Sequence, residues 1–253
     1  DIKFFILKKN KIKKMNKFSI FLPVIDETFS LEKTISEIQK SSSKFVSKYL
    51  IVISKKKTTN QSLKTILNLK KKLRKKIILV YQKKPYLGGA LKSAIPLVKT
   101  SHFILMASDL ETNPKDVAKF IKFSLKYPEN IIIGTRWGKK KSFEGYSKIK
   151  LILNKLFQVF FSVLFKVQLS DLTFGYRVYP SKLIKDINLK EEMHPILFES
   201  ILIPIKLKAK IIEIPIKWKT RIEGQSSNTF LRNFLYFKTG LRIFFSNKKH
   251  LSK

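Results

Sequence analysis

Asp109 and Glu111 stand one residue apart, directly after the apolar run "HFILMAS" (102–108), in a chain with 53 Lys plus Arg against 17 Asp plus Glu. Two carboxylates so spaced at the end of a buried segment offer hard oxygen donors to a divalent cation, Mg or Mn, that holds a diphosphate. A solvated acidic loop is the other reading of the same spacing. The residues that follow read as a helix start, with Asn113 as N-cap, Pro114 as first helical residue and Asp116 as acidic third-position partner. Cations able to face a phosphate are plentiful as lysine but scarce as arginine, which stands at 74, 136, 177, 221, 232 and 242. Only arginine presents a planar fork to phosphate or carboxylate, so those positions carry the most information. Gly88 and Gly89 open an apolar helical pattern. There they either let backbone amides approach a phosphate or let helix pack closely on strand.

These groups need a scaffold, and the pattern of apolar runs supplies one. "FSIFLPV" (18–24), "KYLIVIS" (48–54), "KIILVYQ" (76–82), "HFILMAS" (102–108) and "NIIIGTRW" (130–137) read as buried strands, with helical periods between them. Such alternation predicts a mostly parallel sheet flanked by helices, in which ligands bind beyond the carboxyl ends of the strands. A long helix is expected over 147–168, a polar turn over 170–180 and a Pro204-kinked helix over 194–207. Pro215 demotes the strand in 209–221 to an edge position. The C-terminal segment 229–245 is amphipathic. Phe230, Phe234, Phe237 and Leu241 share one of its faces, which either closes the core or meets lipid, while Arg232, Lys238 and Arg242 could reach headgroups. Residues 1–16 read as a basic arm outside the fold, with Met15 as the expected start. Residues 17–246 then form a single domain and 247–253 a basic tail.

Composition narrows the function classes. The 253 residues contain no cysteine and three scattered histidines (His102, His194, His250), which excludes thiol chemistry and disfavours a histidine-built metal site. The absence of cysteine also fits a reducing cytoplasm. A net charge of +36 suits anionic lipid, phosphorylated ligands or nucleic acid. No basic block or reading motif marks a nucleic-acid binder, so no specific nucleic acid is expected. The best apolar stretch, 151–169, is interrupted by Lys155 and Lys166 and is too short to span a bilayer.

Five segments in order resemble family 2 of the inverting glycosyltransferases, in particular its polyprenyl-phosphate (dolichyl-phosphate mannose synthase-like) branch. They are "FSIFLPVIDE", "YLGGALKSAI", "IIIGTRW", "SDLTFGYRVYP" and "IIEIPIKWKTRIEGQSS", and the resemblance covers about residues 17 to 246. It implies a GT-A fold, a Rossmann-like sheet that binds a nucleotide sugar. It places Glu27 as the acid ending the first strand, and Arg136, Arg177 and Arg221 in donor- or phosphate-binding segments, where each can equally pair with Asp171 or Glu223. The chain departs from the family at three points. The Asp-x-Asp-x-Gln segment reads Ala107, Ser108, Asp109, Leu110, Glu111. The Asp-Asp-Gly-Ser after the second strand is replaced by Ser54, Lys55 and further lysines, so Lys55 stands where acids help hold the base. The final Gly-x-Ser-Lys reads Gly224, Gln225, Ser226, Ser227.

The activity so implied is inverting transfer of a sugar from a nucleotide donor to an acceptor, a polyprenyl phosphate or a glycan, in making cell-envelope glycan. The protein would lie peripherally on the anionic, cytoplasmic face of the membrane. Asp109 and Glu111 would hold the metal, with Asp109 at the reacting centre. A lipid phosphate is already an anion and needs no base. For a hydroxyl acceptor, Glu199 is the candidate base and Asp171 the second, although Glu199 also suits a lysine-paired helix face and Asp171 a turn cap with Ser170 and Thr173. The alternative is a non-catalytic relative that serves as a membrane- or partner-binding module.

Overall fold

The structure, a computed structural model, describes residues 17–138, 143–144, 147–223 and 233–253. The expected arm 1–16, the stretch 224–227, Phe230 and Arg232 lie outside the described residues. Seven strands form one sheet: β1 (Phe18–Val24), β2 (Val46–Ile53), β3 (Ile77–Tyr81), β4 (His102–Leu105), β5 (Ile131–Thr135), β7 (Arg177–Pro180) and β8 (Ile211–Pro215). Their order is β3-β2-β1-β4-β7-β5-β8. A separate parallel pair joins β6 (Phe143–Glu144) to β9 (Trp218–Lys219). All strands of the main sheet run parallel except β7, which is antiparallel to both neighbours, β4 and β5. The expected polar turn over 170–180 therefore ends in a strand. Arg177 at its head and the brevity of "RVYP" hide the apolar run by which strands are usually read.

The sequence alternation decides which side chain meets which helix layer. In β1, Phe18, Ile20, Leu22 and Val24 enter one apolar cluster and Phe21 the other. The first face is covered by α1 (Phe29–Ser42), α2 (Asn60–Leu73) and α4 (Asp116–Lys126), whose Ile35, Ile66 and Phe120 are buried against it. The second is covered by α3 (Tyr86–Ala94), α5 (Lys148–Leu164), α6 (Ser181–Asp186), α7 (Ile196–Lys206) and α8 (Asn233–Phe245). Burial on both faces is why the strands read as continuous apolar runs.

The helix after β4 starts at Asp116, two residues later than expected. Asn113 instead caps the preceding turn, its Oδ1 accepting the Lys115 amide at 3.0 Å. Helix α7 runs through Pro204, and β8 is the edge strand that Pro215 requires. The terminal residues 247–253 are not a free tail: Leu251 is buried and the Lys253 amide donates to the Asp186 carbonyl at 2.7 Å.

Candidate active site

Strands β1, β2, β4 and β5 point their carboxyl ends toward one edge, and Asp109 and Glu111 emerge there just beyond β4. Between them Leu110 adopts φ 62°, a left-handed conformation that a branched residue takes only where its surroundings impose it. The Glu111 amide donates to Asp109 Oδ1 at 3.1 Å, closing a tight turn that brings both carboxylates to the same side. Both meet one cation. Arg221 lies 3.1 Å from Asp109 Oδ2 through its terminal nitrogen and 2.9 Å from Glu111 Oε1 through Nε.

The segment carrying Arg221 is strapped across this edge. The Trp218 indole N–H donates to Glu111 Oε2 at 3.0 Å, and the Lys219 amide to the Glu111 carbonyl at 3.0 Å. Farther along, Glu223 accepts the Ser30 amide at 2.9 Å and the Ser30 hydroxyl at 2.6 Å, and also the Thr28 hydroxyl. A carboxylate there satisfies free donors at the start of α1 and complements its dipole. Burial pushes the Glu223 carboxyl up, but the Ser30 and Thr28 donors outweigh it and hold it down to about 2.

Asp109 behaves oppositely. Burial first, and then the charge of Glu111, push its carboxyl up to about 6 although Arg221 pulls the other way. Glu27, also buried, is raised chiefly by burial, and its charge is felt by both Asp109 and Arg221. Its Oε2 accepts the Ile25 amide at 2.7 Å. The edge thus holds three carboxylates around one guanidinium, a surplus of negative charge in an otherwise basic protein. Among the described residues no three carboxylates or histidines converge tightly enough to cage a metal. Asp109 and Glu111 still fit Mg, which is commonly held by one or two carboxylates with phosphate oxygens and water completing its shell. The guanidinium between them marks where a positive charge is stable.

The other expected site residues have different work. Arg136 is bidentate to Asp171, with Nε to Oδ2 at 2.7 Å and its terminal nitrogen to Oδ1 at 2.8 Å. The Arg136 amide also donates to Oδ2 at 3.1 Å, and the Asp171 amide donates to Glu213 at 3.0 Å. Asp171 is wholly enclosed and spent on this lock, so its placement does not suit the second-base role. Arg177 is fully buried, donating to the Leu172 and Leu197 carbonyls, Tyr179 and Ser200. It ties β7 to α7 and presents no fork to a ligand.

Glu199 is likewise enclosed. Its Oε2 accepts the Lys190 and Glu191 amides at 2.9 and 2.8 Å, and its Oε1 meets Arg242 at 2.7 Å. That environment holds the 190s loop against α8 and gives the carboxylate no substrate to face. Gly88 donates its amide to the Glu192 carbonyl at 2.6 Å, and a Cβ on Gly89 would lie 2.0 Å from the Lys84 carbonyl oxygen. Both glycines serve close packing. Lys55 is exposed at the carboxyl edge beyond β2, its Nζ 5.5 Å from the Tyr81 ring. Sequence reasoning missed Trp218 and Glu213, and named Glu223 only as an arginine partner, whereas it accepts from Ser30 and Thr28. The two acids stand in apolar or loop context with no spacing signal, and Trp218 reads as an ordinary strand aromatic.

Sheet order and the open carboxyl edge define a class of α/β protein in which ligands bind beyond the strand carboxyl ends. Residues 19–187, more than half the chain, match the family model described as glycosyl transferase family 2, and the chain belongs to that family. It is also similar in fold to glucosyl-3-phosphoglycerate synthase from Mycobacterium tuberculosis. With that enzyme in complex with Mn2+, UDP and phosphoglyceric acid, the TM-score is 0.70 at 12% identity, over 94% of this chain and 81% of the other. With its complex containing Mn2+, UDP-glucose and phosphoglyceric acid, the TM-score is 0.69 at 13% identity, over 92% and 81%. A third complex, with Mg2+ and UDP, gives 0.69 at 12% over 92% and 81%. The seven-stranded sheet and its flanking helices are thus GT-A-like.

Proposed function

We propose that this protein transfers a sugar, with inversion, from a nucleotide-sugar donor to a phosphate-bearing acceptor, and that a polyprenyl phosphate is that acceptor. The observation that carries the reading is the convergence of Asp109, Glu111 and Arg221 at the carboxyl edge of a family 2 sheet. The similar synthase binds UDP-glucose with Mn2+, which supports a UDP-sugar donor and a divalent cation here. Asp109 and Glu111 would hold that cation. When bound, it would neutralise charge on the departing diphosphate. Arg221 would then shift from the carboxylates to the phosphates, and Lys55 would reach them from the β2 end. Glu27 keeps the edge acidic before a cation arrives.

In the transfer, the bond from the anomeric carbon to the diphosphate oxygen breaks and the nucleotide leaves with the electron pair. A new bond forms from an acceptor oxygen to the opposite face of that carbon. The two carboxylates considered as bases are both enclosed and spent, which favours an acceptor that is already an anion and needs none. The basic surface suits a peripheral position on the inner, anionic face of the membrane, where such an acceptor would be met.

A second reading rests on Arg221 itself. Because it already pairs with both Asp109 and Glu111, the two carboxylates have a partner without a metal, as a non-catalytic relative would require. One assay separates the two: release of UDP from a panel of UDP-sugars, with Mn2+ and either polyprenyl phosphate or 3-phosphoglycerate, with the product anomer read by NMR. Acceptor-dependent release by the wild type, abolished in Asp109→Asn and Glu111→Gln, supports transfer. A thermal shift with nucleotide but no turnover of any donor supports the non-catalytic relative.

A further inference from the structure

Helix α5 is inverted relative to an ordinary surface helix. Of its 17 residues the inward side buries Gln158 and Phe161, while Ile149, Ile152, Leu156 and Val163 point outward. Ile149 and Val163, at its two ends, are each 72% exposed. Their spacing of i, i+3, i+7 and i+14 sets them on one stripe, which Leu153 and Phe160 widen. Exposed lysines border that stripe at Lys148 and Lys155 on one side and Lys150 on the other, and Lys166 is exposed just past the helix end.

Helix α8 extends the same surface. Gly240 lets it pack closely on α5, since a Cβ there would lie 2.1 Å from the Phe161 ring. The Phe237 ring stands 5.6 Å from that of Phe160, joining the two stripes. Beyond it Phe234 and Phe245 are 71% and 78% exposed. A continuous outward apolar surface of this kind marks an interaction site.

The surrounding charge decides between occupants. Neither α5 nor α8 contains an acidic residue, and the charged groups on both helices are all cationic. A second copy, itself at +36, would be repelled. An anionic bilayer offers what this surface lacks, acyl chains for the apolar stripe and negative headgroups for lysines that can snorkel outward. No helix among the described residues is long and apolar enough to cross a membrane, so the contact is one of lying on the surface. One border lysine, Lys155 on α5, sits 4.7 Å over the ring of Trp137, just past the carboxyl end of β5, so the face reaches the carboxyl side of the sheet.

We propose that the outer face of α5 and α8 docks the protein onto an anionic lipid bilayer. The docking rests on the peripheral membrane position proposed above but not on the donor chemistry, so docking and transfer can fail separately. The test is co-sedimentation of the full chain with vesicles of phosphatidylcholine alone and of phosphatidylcholine mixed with phosphatidylglycerol. The wild type is compared with Leu156→Glu/Val163→Glu and with a charge-matched control, Leu67→Glu/Asn68→Glu, on exposed positions of α2 across the sheet. Thermal melts confirm that all three are folded, and nucleotide binding is measured on each. Expected is binding to the phosphatidylglycerol vesicles, weakened roughly tenfold or more in the α5 variant and little in the control. The proposal is overturned by no vesicle binding, by equal loss in both variants, or by a wild-type dimer that the α5 variant disrupts. Loss of nucleotide binding in the wild type would instead count against the transferase reading and leave the docking result standing.

Discussion

At the scale of single residues, the sequence pointed to a set of charged groups without showing which faced each other. Asp109 and Glu111 were legible because two acids at the end of an apolar run are rare in so basic a chain. Arg136 and Asp171 were legible as conspicuous residues, but an arginine fork fits a carboxylate as well as a phosphate. The fold decides for the carboxylate. Their lock predicts that Arg136→Met costs about 3–5 kcal/mol, because it strands a buried carboxylate, as urea unfolding would show. A loss below 1 kcal/mol would mean the pair is not buried as described.

Glu223 gives a pH dependence with a definite sign. Its folded-state carboxyl lies at about 2 against an ordinary 4.5. In that window the folded protein binds fewer protons than the unfolded chain. Its stabilisation is therefore complete above about 4.5 and is lost as pH falls through about 2. Glu223→Gln should flatten the acid limb of a melting-temperature profile, and an unchanged limb would contradict the strap. Lys55→Ala should weaken nucleotide binding more than Lys70→Ala on α2. Equal effects would remove Lys55 from the donor site.

At the scale of elements, the parallel strands and their helices were legible from burial on both faces. The insertion of β7 was not, because a four-residue strand headed by arginine carries no periodic signal. The glycine-led start of α3 shows the same limit. A glycine pair serves phosphate approach and close packing equally well in sequence, and the backbone of Lys84 and of residues 191–192 resolves it toward packing. Gly89→Ala should cost about 1–3 kcal/mol or more, since its new methyl would meet backbone rather than a flexible side chain. A neutral substitution in chemical denaturation would refute that contact. The C-terminal stripe faces outward at Phe234, Phe237 and Leu241, which leaves core closure to Tyr236 and Ile243.

At the scale of the whole molecule, charge is distributed against function. The chain is strongly basic, yet at one sheet edge Glu27, Asp109 and Glu111 gather around Arg221. Composition alone shows only the excess of lysine. The fold explains why the few acids matter, since it delivers them to the place where an α/β sheet binds its ligand. The most direct test of that account is calorimetric titration of UDP into the protein with and without Mn2+, for the wild type and for Asp109→Asn/Glu111→Gln. Binding should depend on Mn2+ in the wild type and be absent in the double variant. Equal UDP binding by both proteins, with or without the metal, would contradict it.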